Sequence, residues 1–264
     1  MMKPVRSLFL SHGGGPLPLL GEPNHHEMIA TLDAIGKQIA KPMAIIVISA
    51  HWEAATVKIT AHAKPDLIYD YYGFAREAYD LKYPCVGEPE LAQQVLSAFK
   101  LAEIEAELDS TRGYDHGMFV PLMLMYPQAD IPCIQISLQQ DLSATKHLQI
   151  GQALATLPND DLLIIGSGFS YHNIRGFGVE NAGVQEENEQ FNAWLVDTMM
   201  NKTLNEAERV KRLKNWSIAP SARACHPREE HLLPLHVCYG LMGRPASEHF
   251  AAKILQRDAS FFLW

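Results

Sequence analysis

Residues 44–53 read Ala44-Ile45-Ile46-Val47-Ile48-Ser49-Ala50-His51-Trp52-Glu53. The first five are apolar and mostly β-branched, with no polar residue alternating among them. That pattern describes a strand covered on both faces, as in a parallel or mixed sheet between two helical layers. A histidine then stands where the apolar run gives out.

The same arrangement recurs along the chain. Ser7–Leu10 predicts a short strand, Cys133–Leu138 another, and Leu162–Ile165 a third that ends in Gly166-Ser167-Gly168. Between them, apolar residues at helical spacing predict helices over Glu27–Ile39, Pro89–Phe99, Ser143–Leu157, Glu186–Met200 and Leu204–Leu213. Phe119–Tyr126 predicts a short buried helix with Pro121 in its first turn. Glu229–Leu241 predicts another, with Pro234 near its start. Phe261-Phe262-Leu263-Trp264 is an apolar tail that should dock on the body. Strands and helices alternate throughout, without a linker, repeat or low-complexity tract. The expectation is an α/β protein, residues 1–264 forming a single domain with a central, mostly parallel or mixed β-sheet flanked by helices on both faces.

Composition narrows the partners. The 264 residues are 47% hydrophobic and 20% charged, ordinary for a globular chain that can bury a sizeable core. Twenty-two basic against thirty acidic residues give 22 − 30 = −8. That balance, with no basic run, argues against nucleic-acid binding. No apolar stretch approaches about 18 residues, so no membrane span is expected. Met1-Met2-Lys3-Pro4 leads into the first strand with no apolar leader behind it. Four widely spaced cysteines, Cys85, Cys133, Cys225 and Cys238, form neither a disulfide framework nor a zinc ribbon. The expected setting is reduced and cytoplasmic. The sequence leaves the oligomeric state open.

Twelve histidines are present, and their positions carry the information. His12 follows the first strand, His51 ends the second, and His172 follows the strand at 162–165 by a short loop. Ligands of such sheets bind beyond the carboxyl ends of the strands. His116, in Gly113-Tyr114-Asp115-His116-Gly117, and His226 and His231, in His226-Pro227-Arg228-Glu229-Glu230-His231, lie in polar settings between elements. Neutral imidazole is the commonest metal ligand and suits zinc and ferrous iron alike. His236 faces an apolar stretch and reads as packed, and His226 as a helix-cap neighbour. His25, His26, His62, His147 and His249 read as surface residues.

Competing signatures fail. His12-Gly13-Gly14-Gly15-Pro16 lacks the lysine and spacing of a phosphate loop. Gly166-Ser167-Gly168-Phe169-Ser170 lacks the second glycine of a serine-hydrolase elbow in register. A glycine run that turns away at once from a metal-bound histidine is the better account, because glycine tolerates φ values other residues avoid.

Five blocks, Ser11-His-Gly-Gly-Gly-Pro-Leu-Pro18, Ile48-Ser-Ala-His-Trp-Glu53, Tyr114-Asp-His-Gly-Met-Phe-Val-Pro-Leu122, Gly166-Ser-Gly-Phe-Ser-Tyr-His-Asn-Ile-Arg175 and His226-Pro-Arg-Glu-Glu-His-Leu-Leu-Pro-Leu235, occur in that order and cover nearly the whole chain. With them the chain resembles the class III extradiol ring-cleavage dioxygenases, in the DOPA 4,5-dioxygenase branch of the protocatechuate 4,5-dioxygenase catalytic-chain superfamily. The resemblance implies one divalent metal, Fe(II) for dioxygenase activity or Zn(II) as bound in related proteins. It implies His12, His51 and His231 as ligands, His172 as acid/base and, with zinc, a fourth ligand, and His116 as a second catalytic histidine near the substrate. The implied partners are a catechol-type small molecule such as DOPA and dioxygen, opened to a muconic semialdehyde.

More distant members use two histidines and a carboxylate, whereas here His231 takes the third position beside Glu229 and Glu230. Three neutral ligands would leave the site two units positive, which suits a dianionic catecholate. Arg228 departs from the family pattern, which has a smaller residue there. Trp52, Tyr71, Phe74, Tyr114 and Phe169 are candidate walls of a ring pocket, and Arg175 or Arg223 a candidate partner for a substrate carboxylate. The alternatives are a zinc-dependent hydrolase on the same cluster and a non-catalytic metal-binding relative. A site with open coordination positions speaks against the last.

Overall fold

The apolar run at 44–48 opens β2 (Ala44–Ala54), an inner strand of one eight-stranded sheet. The computed structural model describes residues 6–158 and 161–264, so the opening Met1-Met2-Lys3-Pro4 lies outside the described residues. Around β2 run β1 (Arg6–Ser11), α1 (His26–Gln38), β3 (Val57–Thr60), α2 (Pro89–Leu101), β4 (Ala106–Asp109), α3 (His116–Met125) and β5 (Cys133–Gln139). There follow α4 (Ala144–Leu154), β6 (Leu162–Gly168), α5 (Ala182–Met200), α6 (Glu206–Lys214), α7 (Ala222–Cys225), α8 (Leu233–Met242), β7 (Glu248–Ile254) and β8 (Arg257–Leu263).

The strand order is β4-β3-β5-β2-β6-β1-β8-β7. The central four, β5-β2-β6-β1, are parallel; β3 joins β5 antiparallel and β8 joins β1 antiparallel, so the sheet is mixed. Alternate side chains of β2 enter two different cores. Ile45 and Val47 pack with Met28, Leu32, Phe119 and Leu195, whereas Ile46 and Ile48 pack with Leu91, Val95, Leu154 and Val237. Helices therefore cover both faces. Each of these fully buried aliphatic side chains is worth about 1.5–3 kcal/mol, and the buried polar residue that follows them, Ser49, is satisfied by a hydrogen bond to Asp115 at 2.7 Å.

Several boundaries differ from those expected, each for a local reason. β2 continues past His51, because Glu53 and Ala54 resume pairing with β5 after an irregularity. α3 starts at His116, which puts Pro121 inside the helix rather than in its first turn. The carbonyl this proline leaves without its usual partner, Gly117 O, accepts from the Ser167 hydroxyl instead. Residues 229–232 form a turn, and α8 begins at Leu233 with Pro234 in its first turn. α5 begins at Ala182, four residues early, because the Asn181 side chain caps it by accepting from the N–H groups of Gly183 and Val184 at 2.9 and 3.1 Å. The apolar tail is part of β8, where Phe262 and Leu263 pair with Phe9 and Leu8. All four cysteines are free and buried. Among the described residues no helix is long and apolar enough to cross a membrane.

One feature of the register decides where chemistry can occur. Leu10 of β1 and Ser49 of β2 both stand opposite Ser167 of β6, which lies between them. Two residues further on, at one height and on one face, come His12 and His51.

Candidate metal centre

Strands β1 and β2 stand two strand spacings apart, roughly 10 Å, and β6 between them ends in Gly166-Ser167-Gly168. Without a large side chain there, the rings of His12 and His51 close over the end of β6 to a centroid separation of 4.9 Å. His231 arrives from the turn before α8 and completes a triangle, 5.2 Å from His12 and 4.9 Å from His51. Its approach needs Gly168: a β-carbon there would lie 2.1 Å from the carbonyl oxygen of His231. His116, at the start of α3, lies 3.9 Å from His51 and 5.6 Å from His12. His172 stacks flat on His231, centroids 3.3 Å apart and planes 14° apart. Five histidines from five parts of the chain thus converge at one rim of the sheet.

Contacts at Nδ1 orient four of the five rings. The Ser167 hydroxyl gives its proton to Gly117 O, so it accepts from His12 Nδ1–H at 3.0 Å. His231 Nδ1 meets Glu230 Oε1 at 3.0 Å, and His172 Nδ1 meets the same oxygen at 3.2 Å. His116 Nδ1 meets Asp70 Oδ1 at 2.8 Å. A carboxylate only accepts, so these rings donate from Nδ1, and Nε2 is the nitrogen left for other partners. Burial first, and then the neighbouring imidazoles, push the pKa values of His12, His51 and His231 well below the ordinary histidine value, so the three rings are neutral. His12 Nε2 and His51 Nε2 face each other at 3.0 Å, and His231 Nε2 is buried without a hydrogen-bond partner.

The 3.0 Å contact is a hydrogen bond if His51 carries its proton on Nε2, and a pair of ligand atoms if both rings turn a lone pair to a shared cation. Two ligands about 2.1 Å from one ion and 90° apart would be roughly 3.0 Å from each other, and their ring centroids about 4.5–5.2 Å apart for angles of 90–110°. The observed 3.0 Å and the 4.9–5.2 Å triangle fit a divalent ion. Nitrogen and oxygen donors also group as His12–His51–His116 and as His172–Glu230–His231, each within 4.8 Å. The even triangle of rings and the orphaned Nε2 of His231 make His12, His51 and His231 a further set that could hold one ion.

Two acids complete the surroundings, and the sequence did not single out either for this role. Asp70 comes from the irregular segment between β3 and α2, and Glu230 from beside His231. Burial alone would raise both carboxyl pKa values, but the bonds from His116 to Asp70 and from His172 to Glu230 hold them below the usual range. The two carboxylates bring two negative charges to the edge of the cluster. Arg228, the departure from pattern, binds both oxygens of Glu53 and lies 3.3 Å from Glu230 Oε2. It straps the end of β2 to the turn that carries His231.

Other expectations sort themselves by contact. Tyr71 lies edge-on to His116 at 5.7 Å and so borders the cluster, with Phe74 edge-on behind it at 5.4 Å. Trp52 carries Arg112 over its ring at 4.5 Å. Tyr114 and Phe169 are core: the Tyr114 hydroxyl bonds Cys133 O, and Phe169 packs on Phe177. Arg223 is engaged by Glu229 at 2.6 Å and lies over Trp216, while Arg175 is exposed.

His25 and His147 correct the surface reading, since both are fully buried. His25 Nε2 accepts from Gly14 N–H at 3.0 Å and so shapes the loop after His12, in which Gly13 holds a φ of +83°. His147 bridges Ser143 O and Gln139 N–H. His249 is half-buried against Phe262, and His26 and His62 are exposed as expected. His226 is buried and bonds Ser170 O, more than a cap neighbour. His236 is packed, its nitrogens on Leu232 O and Leu213 O.

Comparison with known proteins adds the following. Residues 7–261 match the family described as the catalytic LigB subunit of aromatic ring-opening dioxygenase. A dioxygenase, tasH, of Hapsidospora irregularis is 39% identical over 252 residues, covering 88% of this chain and 76% of its own. A 4,5-DOPA dioxygenase extradiol of Beta vulgaris is 38% identical over 245 residues, covering 90% and 87%. The crystal structure of an uncharacterized Escherichia coli K12 protein superposes with a TM-score of 0.74 at 26% identity, over 100% of this chain and 99% of that one.

Proposed function

The chain belongs to the family of catalytic LigB subunits of aromatic ring-opening dioxygenases, in its DOPA-type extradiol branch, and from that premise we propose that it opens a catechol such as DOPA by extradiol cleavage with dioxygen. Family membership makes it a metal-dependent extradiol dioxygenase; the choice of substrate, metal and residue roles is our own. Residues 1–264 act as one catalytic domain.

His12, His51 and His231 hold one divalent ion, Fe(II) for ring opening. When bound, the ion supplies a Lewis acid for the catechol oxygens and a site at which dioxygen is activated. His172, its Nδ1–H on Glu230, takes a proton from a substrate hydroxyl at Nε2 and later returns it, help worth about 10²–10⁴-fold. With zinc in place the same nitrogen serves as a fourth ligand. His116, held by Asp70, steadies charge on a substrate oxygen. Tyr71 and Phe74 border the aromatic ring. The observation that carries this proposal is the pair of neutral Nε2 atoms of His12 and His51 facing each other at 3.0 Å, with the third ring completing the triangle.

The test is oxygen uptake on a panel of catechols after anaerobic loading with Fe(II), beside metal analysis of two variants. His12→Ala loses both metal and turnover, while His172→Ala keeps the metal and loses ring opening. Equal metal loss in both would put His172 among the ligands. Turnover of ester or amide substrates without dioxygen would replace the oxygenase by a zinc hydrolase.

A further inference from the structure

Each of the two acids at the cluster meets two histidines, one inside the triangle and one beside it. Glu230 Oε1 lies 3.0 Å from His231 Nδ1 and 3.2 Å from His172 Nδ1. Asp70 Oδ1 lies 2.8 Å from His116 Nδ1 and also accepts the His116 backbone N–H at 3.0 Å, while Oδ2 lies 3.7 Å from His51 Nδ1. We propose that Glu230 and Asp70 are positioning residues: Glu230 holds one metal-ligand and one proton-handling histidine at Nδ1, and Asp70 bonds His116 Nδ1 while its second oxygen orients His51 electrostatically from 3.7 Å, so that all four rings turn Nε2 toward the same space. The proposal rests on the assignment of the cluster as a metal site.

Both acids are themselves held. Glu230 is fixed by its neighbour in sequence, His231, and by Arg228, whose guanidinium binds Glu53 two residues beyond His51. Asp70 sits on the first N–H of α3 and so caps that helix from another part of the chain. Outer carboxylates of this kind fix the tautomer and orientation of a ligand imidazole, and their loss typically costs about 10–100-fold in metal affinity or activity. Here one oxygen of Glu230 serves two stacked rings. Ligand and acid/base are thereby oriented by the same atom, and a shift of that carboxylate turns both rings together.

The pairing makes a prediction that a merely structural pair of acids does not. In zinc-loaded protein labelled with ¹⁵N-histidine, long-range ¹H–¹⁵N spectra report the protonated nitrogen of each ring. Glu230→Ala should move the signals of His231 and His172 and spare those of His51 and His116. Asp70→Ala should do the reverse. Zinc affinity, measured by competition with a chromophoric chelator, should fall about 10–100-fold in each. Glu230→Gln and Asp70→Asn, which keep an acceptor oxygen, should recover the larger part of the loss.

If an alanine variant does not fold, the amide variants carry the same spectral test, with signals moving in the same two pairs. Wild-type affinity in Glu230→Ala, or a response that spreads over all five rings in either series, overturns the proposal. Wild-type protein that binds no zinc sinks the metal assignment instead. Oxygen uptake is not read, so a failed substrate search leaves this result standing.

Discussion

Gly168→Ala tests the packing that brings His231 to His12 and His51. The added β-carbon would lie 2.1 Å from His231 O, 3.0 Å from its carbonyl carbon and 3.3 Å from Pro234 Cγ. Real β-carbons essentially never come closer than 3.0 Å, so the His231 backbone must move by at least 3.0 − 2.1 = 0.9 Å. That oxygen also accepts from Phe169 N–H at 2.9 Å, so the movement strains a bond between β6 and the turn. Overpacking of this degree costs about 1–3 kcal/mol, or roughly 2–12 °C in Tm at 2–4 °C per kcal/mol. The effect on the site should be larger, because a misplacement of about 1 Å can cost 10²-fold in rate. Differential scanning fluorimetry, chelator competition for zinc and Fe(II)-dependent oxygen uptake read the three quantities on one preparation. Gly21→Ala is the control: its φ of +76° makes alanine strained there, yet nothing lies within 4 Å of the added carbon. It should lose stability while binding zinc normally. If Gly168→Ala binds zinc and turns over like wild type, the close approach at β6 does not position His231.

Further outcomes follow from individual contacts. Ser167→Ala removes the acceptor of His12 Nδ1–H in a buried place, so stability should fall by about 1–3 kcal/mol and zinc affinity by about tenfold, read by urea titration and chelator competition. His147 is buried and neutral, its pKa lowered to about 4, chiefly by burial. A folded pKa below the unfolded value of 6.5 means its contribution is complete above pH 6.5 and is lost as pH falls toward 4, about 3 kcal/mol in all. The stability gap between wild type and His147→Gln, measured by urea titration from pH 7.5 to 4.5, should therefore shrink with acidification; a constant gap would refute the buried neutral ring. Asn181→Ala removes the cap of α5 and should cost about 1 kcal/mol in the same titration, leaving zinc affinity unchanged.

How much of this was legible in the sequence depended on whether the signal was local. The runs at 44–48 and 162–165 announced a sheet buried on both faces because burial on two sides removes the polar alternation a strand would otherwise show. Their histidines were visible as strand-end residues for the same reason. The outer strands β3, β4 and β7 left little mark. The first two are four residues each, and β7 is largely half-buried, so their pairing comes from neighbours and not from composition. Pro121 misled the start of α3 because the hydroxyl that occupies the freed carbonyl belongs to Ser167, fifty residues away.

By itself the sequence determined the layered α/β class and placed His12, His51 and His172 near strand ends, matters of periodicity and residue type, while the ordered blocks carried the family resemblance that implied the set of five histidines. Only the tertiary structure decided that β6 lies between β1 and β2 with small residues at its end, so that His12 and His51 meet above it. It also decided that Asp70 and Glu230, neither marked by spacing, bring carboxylates to the Nδ1 side of the cluster. Contacts across 39 residues, as between His12 and His51, or 46, as between Asp70 and His116, are set by strand order and packing, and those have no local signature.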